Sequence, residues 1–295
     1  MISITSFLWG ILPIFLKMGL KEFSAGTIVW FRFFFAFVLL YFLLALNGSK
    51  PSAILRRPPW IGIAGGAALS ANYFWVTQAI DFSGPSNVAI LIQIAPILLV
   101  VVGIIAFRER LRPWQWGGML LAGAGMGLFY RERYGNAADV DLYNTANLLI
   151  VLAAVAWVAY MVCQKILSHR FEAQSLNLLV YATASIIFLP MAEWADFSGV
   201  SVTGWVIIVF LAFNTLLAYG ALAEAVERIP LSLISIIITV NPLVTLAGMK
   251  VLPQISSGWL EPESVGFLGY LGAVIAVAGV VLVVSNQPAP GREKS

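Results

Sequence analysis

Apolar residues gather into ten blocks separated by short polar stretches, near 3–20, 25–46, 60–80, 86–107, 113–130, 145–167, 174–192, 203–225, 231–252 and 265–284. Most are about 18 to 23 residues long, enough to cross a hydrocarbon core of roughly 30 Å at 1.5 Å per residue. Hydrocarbon offers no water to a bare backbone, and the blocks are too long and too uniformly apolar for barrel strands, so each predicts a helix. The predicted fold class is an all-α polytopic membrane protein with ten transmembrane helices.

Composition agrees, with 60% apolar residues and 11% charged, against roughly 25% charged in a soluble domain. No charge precedes Lys17 and no small-residue cleavage site follows the first block, so that block reads as a retained helix. The lone cysteine, Cys163, lies inside an apolar block, which leaves no disulfide framework or thiol metal site. His169 stands in a loop with no orienting partner, and no buried carboxylate pair is visible; no catalytic set, metal or cofactor is expected, and the chain does not read as an enzyme. An intramembrane lipid-modifying enzyme, the competing class, would need a polar cluster at one interface. The net charge of +3 is spread over loops and argues for the lipid bilayer rather than nucleic acid as partner.

With a cytoplasmic N-terminus, the inside segments hold Lys50, Arg56, Arg57, Arg108, Arg110, Arg112, Lys165, Arg170, Arg228, Arg292 and Lys294, 11 of the 17 basic residues. Outside fall Lys17, Lys21, Arg131, Arg133 and Lys250, with Arg32 inside a span. The excess of 11 over 5 predicts both termini on the cytoplasmic side of the cell inner membrane. Residues 287–295, with two prolines and mixed charges, are expected to be a disordered tail.

The chain also repeats itself. Trp9 and Lys17 match Trp157 and Lys165; Tyr73, Gln78 and Ala79 match Tyr219, Glu224 and Ala225; Ser86 and Pro96 match Ser232 and Pro242; Gly118 and Gly125 match Gly272 and Gly279. The order is kept and the offset is nearly constant. The predicted organisation is a five-helix repeat over residues 1–134 and a second over 135–286. Five spans per repeat invert the second relative to the first, the design that gives alternating access two packings of similar energy.

The paired halves, the WG and Pro13 of span one, Arg32 early in span two, PSNVAILIQIAPIL followed by FRERL, and PLSLISIIITVNPL in span nine together resemble the EamA-type drug/metabolite transporter superfamily. The resemblance covers nearly the whole chain and is nearest to the aromatic and broad-range amino-acid exporters. It implies ten-helix carriers with a central cavity between the halves and spans five and ten toward the periphery. One departure is that Glu109 of FRERL has no acidic counterpart in VLPQIS at the end of span nine.

Polar side chains in mid-span should face a cavity or another helix, because facing lipid is costly. The candidates for a solute path are Trp9, Asn72, Tyr73, Trp75, Gln78, Gln93, Trp157, Tyr160, Asn214, Tyr219 and Thr239, with Ser86, Ser232, Ser235 and Asn241 on the same stripes. Aromatic walls with a few amides suit a zwitterion with a partly apolar side chain. Two plainer readings compete: Ser and Thr hydroxyls satisfying backbone carbonyls, and tryptophans at the interface, which accounts for Trp60, Trp114, Trp116, Trp194 and Trp259. Pro13, Pro96 and Pro242 are hinge candidates, the last two expected to kink their helices in mid-span. Arg32 reads as a snorkelling side chain, or as a partner for a solute carboxylate. Glu224 reads as an i, i+4 partner of Arg228. The glycine stripes of spans five and ten read as packing surfaces, not phosphate loops. The expected function is a secondary carrier exporting amino acids or similar small metabolites, functional as a monomer. The alternative is a drug, nucleotide-sugar or other metabolite carrier.

Overall fold

The computed structural model describes residues 2–107, 112–228, 239–256 and 258–285. The FRERL charges, Ser232, Ser235, the Glu224–Arg228 side-chain pair and the C-terminal tail lie outside the described residues.

In chain order the helices are α1 Ile2–Gly19, α2 Ala25–Leu46, α3 Ser52–Arg56, α4 Trp60–Ser83, α5 Pro85–Leu91, α6 Ile94–Phe107, α7 Pro113–Gly135, α8 Val140–Leu167, α9 Ala173–Phe188, α10 Val202–Arg228, α11 Asn241–Val251 and α12 Phe267–Val284. Among the described residues there is no strand. Six helical stretches are long and apolar enough to cross a membrane: Ala25–Leu46, Pro85–Ile105, Val140–Leu167, Ala173–Met191, Val202–Ala221 and Phe267–Val284. Thr5–Gly19 is a shorter apolar helix. The 24 and 23 residues of α4 and α7 would also span about 35 Å at 1.5 Å per residue. Their buried faces carry Gly62, Gly65, Gly66, Ser70, Asn72 and Thr77 on α4 and Gln115, Gly118 and Gly125 on α7. A coat of exposed Leu120, Ile186, Val206 and Phe267 covers the outside, the arrangement expected where lipid replaces water as solvent.

The helix ends are specified locally. Ser24 caps α2, its hydroxyl accepting from the Thr27 amide at 3.3 Å, and its own amide donates to Asp196 at 2.7 Å. Asp139 caps α8 by accepting from the Leu142 amide at 2.9 Å. Each satisfies a donor that the first helical turn leaves open. Between α4 and α5 a single residue, Gly84 at φ +86°, reverses the chain, a conformation that a Cβ would penalise.

The helices pack in a regular scheme. Close neighbours are α4 with α8 and α9, α1 with α10 and α11, α2 with α9 and α10, α6 with α8, and α5 with α11. The pair α7 and α12 packs along the edge of this group, touching α5 and α6. Their contact is made by glycine. A Cβ on Gly118 would stand 2.8 Å from the Gly279 carbonyl oxygen, and one on Gly272 would stand 2.8 Å from that of Gly125. The residue order runs oppositely along the two helices, so α7 and α12 are antiparallel. Without a hydrophobic force between helices in lipid, such backbone approach supplies the contact.

Two features differ from the sequence reading. The short helix α3, with Ile54 buried, falls in a segment read only as a loop. The fourth apolar block is two helices, because the chain leaves the α-helix after Leu91 and re-enters it at Ile94.

Candidate functional site

A cavity of about 230 Å³ lies among α1, α2, α4, α5, α6, α8, α10 and α11. Helical periodicity explains which residues reach it. Trp9, Leu12, Pro13 and Leu16 form an i, i+3, i+4, i+7 stripe on α1, and Tyr73, Val76 and Thr77 share a face of α4 with Asn72 beside them. Asn241, Pro242 and Thr245 line one face of α11. Of the eleven side chains expected on a solute path, Trp9, Asn72, Tyr73, Gln93, Trp157 and Tyr219 line the cavity, as do all three prolines.

The other five do not line it. Trp75 and Gln78 lie outside the lining. The Tyr160 hydroxyl accepts from Gln164 Nε2 at 3.1 Å, and Asn214 Nδ2 donates to the Leu8 carbonyl at 2.9 Å. Thr239 offers its carbonyl to Gln93 Nε2 at 3.0 Å. Asn72, although at the wall, has its Nδ2 bonded to the Ala153 carbonyl at 2.8 Å. Thr77 and Thr245, which sequence reading missed, sit four residues from Tyr73 and Asn241 and so share their faces. Their hydroxyls donate to the Tyr73 and Gly10 carbonyls. Most polar groups at the wall are therefore already engaged.

The prolines act differently from the expected mid-helix kink. Pro96 lies in the first turn of α6 and Pro242 in the first turn of α11, where the missing donor is free of consequence. Its ring would clash with the carbonyl four residues back in a continuous helix, so the disruption falls upstream, at Ile92 and Gln93. There the chain tightens into i, i+3 bonds, Gln93 to Ile90 at 3.3 Å and Ala95 to Ile92 at 2.9 Å. The break brings Gln93 against Thr239. Pro13 sits inside an unbroken α1.

The walls are aromatic. Trp9 meets Tyr219 edge-on at 5.6 Å between centroids, and Tyr73 lies 6.4 Å from Tyr219 and 4.8 Å from Phe33. Into this cluster comes Arg32. It is 1% exposed, which corrects the snorkelling expectation. Its Nε donates to Thr215 Oγ1 at 3.0 Å, its guanidinium carbon lies 4.8 Å from the Tyr73 ring centroid, and its Nη2 is buried without a hydrogen-bond partner.

Where α1, α4 and α5 meet, polar contacts hold the helix ends together. Lys17 pairs with Asp81 at 3.2 Å, and Lys21 donates to the Gly258 carbonyl at 2.7 Å. Glu263, in the connection between α11 and α12, accepts from the Ser86 amide at 3.4 Å and keeps Oε2 buried and unpartnered. Burial pushes the Glu263 carboxyl above its ordinary range, against the opposing pull of Ser86, Arg133 and Lys17. An acid with a raised folded-state pKa stabilises the fold below its ordinary pKa and loses that contribution as pH rises through the raised value. The thermal stability of the purified protein should therefore fall over that interval, and Glu263→Gln should remove the pH-dependent component. An unchanged pH profile in Glu263→Gln would refute the assignment.

Against known proteins, the chain matches the EamA-like transporter family over residues 1–131 and 144–285. The chain belongs to the EamA-like transporter family. It is accordingly a multi-span membrane protein of a family of transporters. Similar proteins include an uncharacterized transporter of Haemophilus influenzae, 32% identical over 95% of this chain and 92% of its own length. The uncharacterized inner membrane transporter YhbE of Escherichia coli K12 is 30% identical over 94% of this chain and 88% of its own. A riboflavin transporter of Vibrio cholerae is 25% identical over 81% of this chain and 96% of its own. A solved crystal structure shares the EamA-like chain's fold with a TM-score of 0.67 at 16% identity, covering 96% of this chain and 95% of that one.

Proposed function

We propose that this EamA-like protein is a secondary carrier of the cell inner membrane, exporting amino acids or related small metabolites by alternating access, rather than an enzyme. The observation that carries the reading is the cavity walled by helices from both halves of the chain. In this reading residues 1–134 and 135–286 are inverted five-helix repeats, both termini are cytoplasmic, and one chain suffices for transport. The packing scheme supports it, because exchanging the halves turns α1 with α10 into α8 with α4, and α2 with α10 into α9 with α4. The antiparallel α7 and α12 and the two family matches support it too. Breaks near the middle of paired spans are where such carriers bind their solute.

The test is counterflow of radiolabelled amino acids into sealed proteoliposomes. Uptake above empty liposomes supports export of amino acids. Its absence, with uptake of another metabolite, favours the second reading, which rests on the riboflavin transporter of Vibrio cholerae. The volume of about 230 Å³ is below the roughly 300–1,000 Å³ usual for drug-sized ligands and favours the smaller solute.

A further inference from the structure

A guanidinium removed from water needs a counter-charge or a full set of acceptors, since an unpaired buried cation is among the costliest groups a fold can hold. Arg32 has neither. Its Nε and its ring-facing surface are used by Thr215 and Tyr73, while Nη2 is unpartnered. Arg32 is also part of the cavity wall, and none of the described lining residues is an aspartate or glutamate. Among the described residues, the ion pair is Lys17 with Asp81, which does not include Arg32. The cavity wall thus holds one fixed positive charge whose Nη2 is buried and unpartnered, beside apolar aromatic surface from Trp9, Trp157 and Tyr219.

We propose that Arg32 is the seat for a single carboxylate on the transported solute, so that the carried class is monocarboxylates with a compact, partly apolar body, amino acids included. This rests on the carrier reading above and names its substrate class. A carboxylate accepts from the guanidinium in a directed, charge-assisted bond, and one negative charge balances one positive. A phosphate carrying nearly two charges would leave the excess unmatched, since Arg32 is the one cation among the described lining residues. Thr215 and Tyr73 are positioning residues: they fix the plane of the guanidinium so that Nη2 remains free. A purely structural Arg32, tying α2 to α10, would show no preference among solutes.

The experiment uses the full chain purified in detergent and a matched series: phenylalanine, 3-phenylpropionate, phenethylamine and phenyl phosphate. Phenylalanine and 3-phenylpropionate are expected to raise the apparent melting temperature with concentration, because a ligand binding only the folded state stabilises it. Phenethylamine, without the carboxylate, and phenyl phosphate should do so far less. Arg32→Gln should weaken the carboxylate effect about ten- to a hundredfold, with Arg32→Lys intermediate. Equal stabilisation by phenethylamine, a stronger effect of phenyl phosphate, no shift with either carboxylate, or full carboxylate affinity in Arg32→Gln overturns the proposal. The wild-type series decides it even where Arg32→Gln does not fold. Counterflow of the same solutes separates the two readings. Carboxylates that bind without being carried remove the carrier and leave the seat, whereas phenethylamine carried as well as phenylalanine removes the seat and leaves the carrier.

Discussion

Ala89→Trp is expected to bring solute counterflow down to the level of protein-free liposomes while leaving the protein as stable as before or more so. Ala89 is buried on α5 and faces the cavity. An indole there occupies space that a solute would use, and it places apolar surface against Tyr73, Trp157 and Tyr219 rather than against solvent. Burying such surface stabilises by about 25 cal/mol per Å², so a collapse in activity without a collapse in stability identifies the cavity as the path. Leu120→Trp is the control. It changes a lipid-facing position, 76% exposed, and should leave counterflow unaltered. Counterflow surviving in Ala89→Trp would place the path elsewhere.

The second large effect is on stability. Gly272→Leu should separate α7 from α12, because the first Cβ atom already meets the Gly125 carbonyl oxygen and the Phe129 nitrogen, each at 2.8 Å. Those obstacles are backbone and cannot rotate away. Overpacking of this kind costs about 1–3 kcal/mol, a fall of roughly 2–12 °C in apparent melting temperature for a chain of this size, read by thermal denaturation in detergent. Gly127→Leu, on the partner helix α7 with nothing near its Cβ, should be close to neutral. Equal effects at the two positions would mean that close backbone approach is not what holds this pair.

Much of this was legible in the sequence, because lipid makes composition speak directly about position. Blocks of apolar residues marked the helices, and the glycines at 118, 125, 272 and 279 marked the packing faces of α7 and α12, though not that the two faces meet each other. What composition could not convey was direction around a helix axis. Arg32 sits two turns inside α2, where a snorkelling side chain and an inward one have the same local sequence. The choice is made by Thr215, 183 residues away. Asn214 is equally polar and equally central, yet its amide is spent on the Leu8 carbonyl. The position of Pro96 signalled a disturbed helix, but the disturbance lies upstream because the ring excludes the carbonyl four residues before it. Thr77 and Thr245 could have been found by extending the faces of Tyr73 and Asn241 by one turn.

Gln93 and Thr239 are 146 positions apart, the same interval that separates Pro96 from Pro242 and Tyr73 from Tyr219. In the inverted-repeat reading proposed above, the bond between them joins a residue to its own duplicate and so lies on the axis that would relate the copies. A fulcrum is the part of a lever that travels least, so under the proposed alternating-access mechanism this is the place where two rocking bundles would stay tethered throughout a cycle. The tether is lopsided, however: an amide side chain gives and a main-chain oxygen takes, and the threonine has no amide with which to return the gesture. The bond's net worth, about 1 kcal/mol, is then shared by both access states, so it holds the bundles together without favouring either face of the membrane.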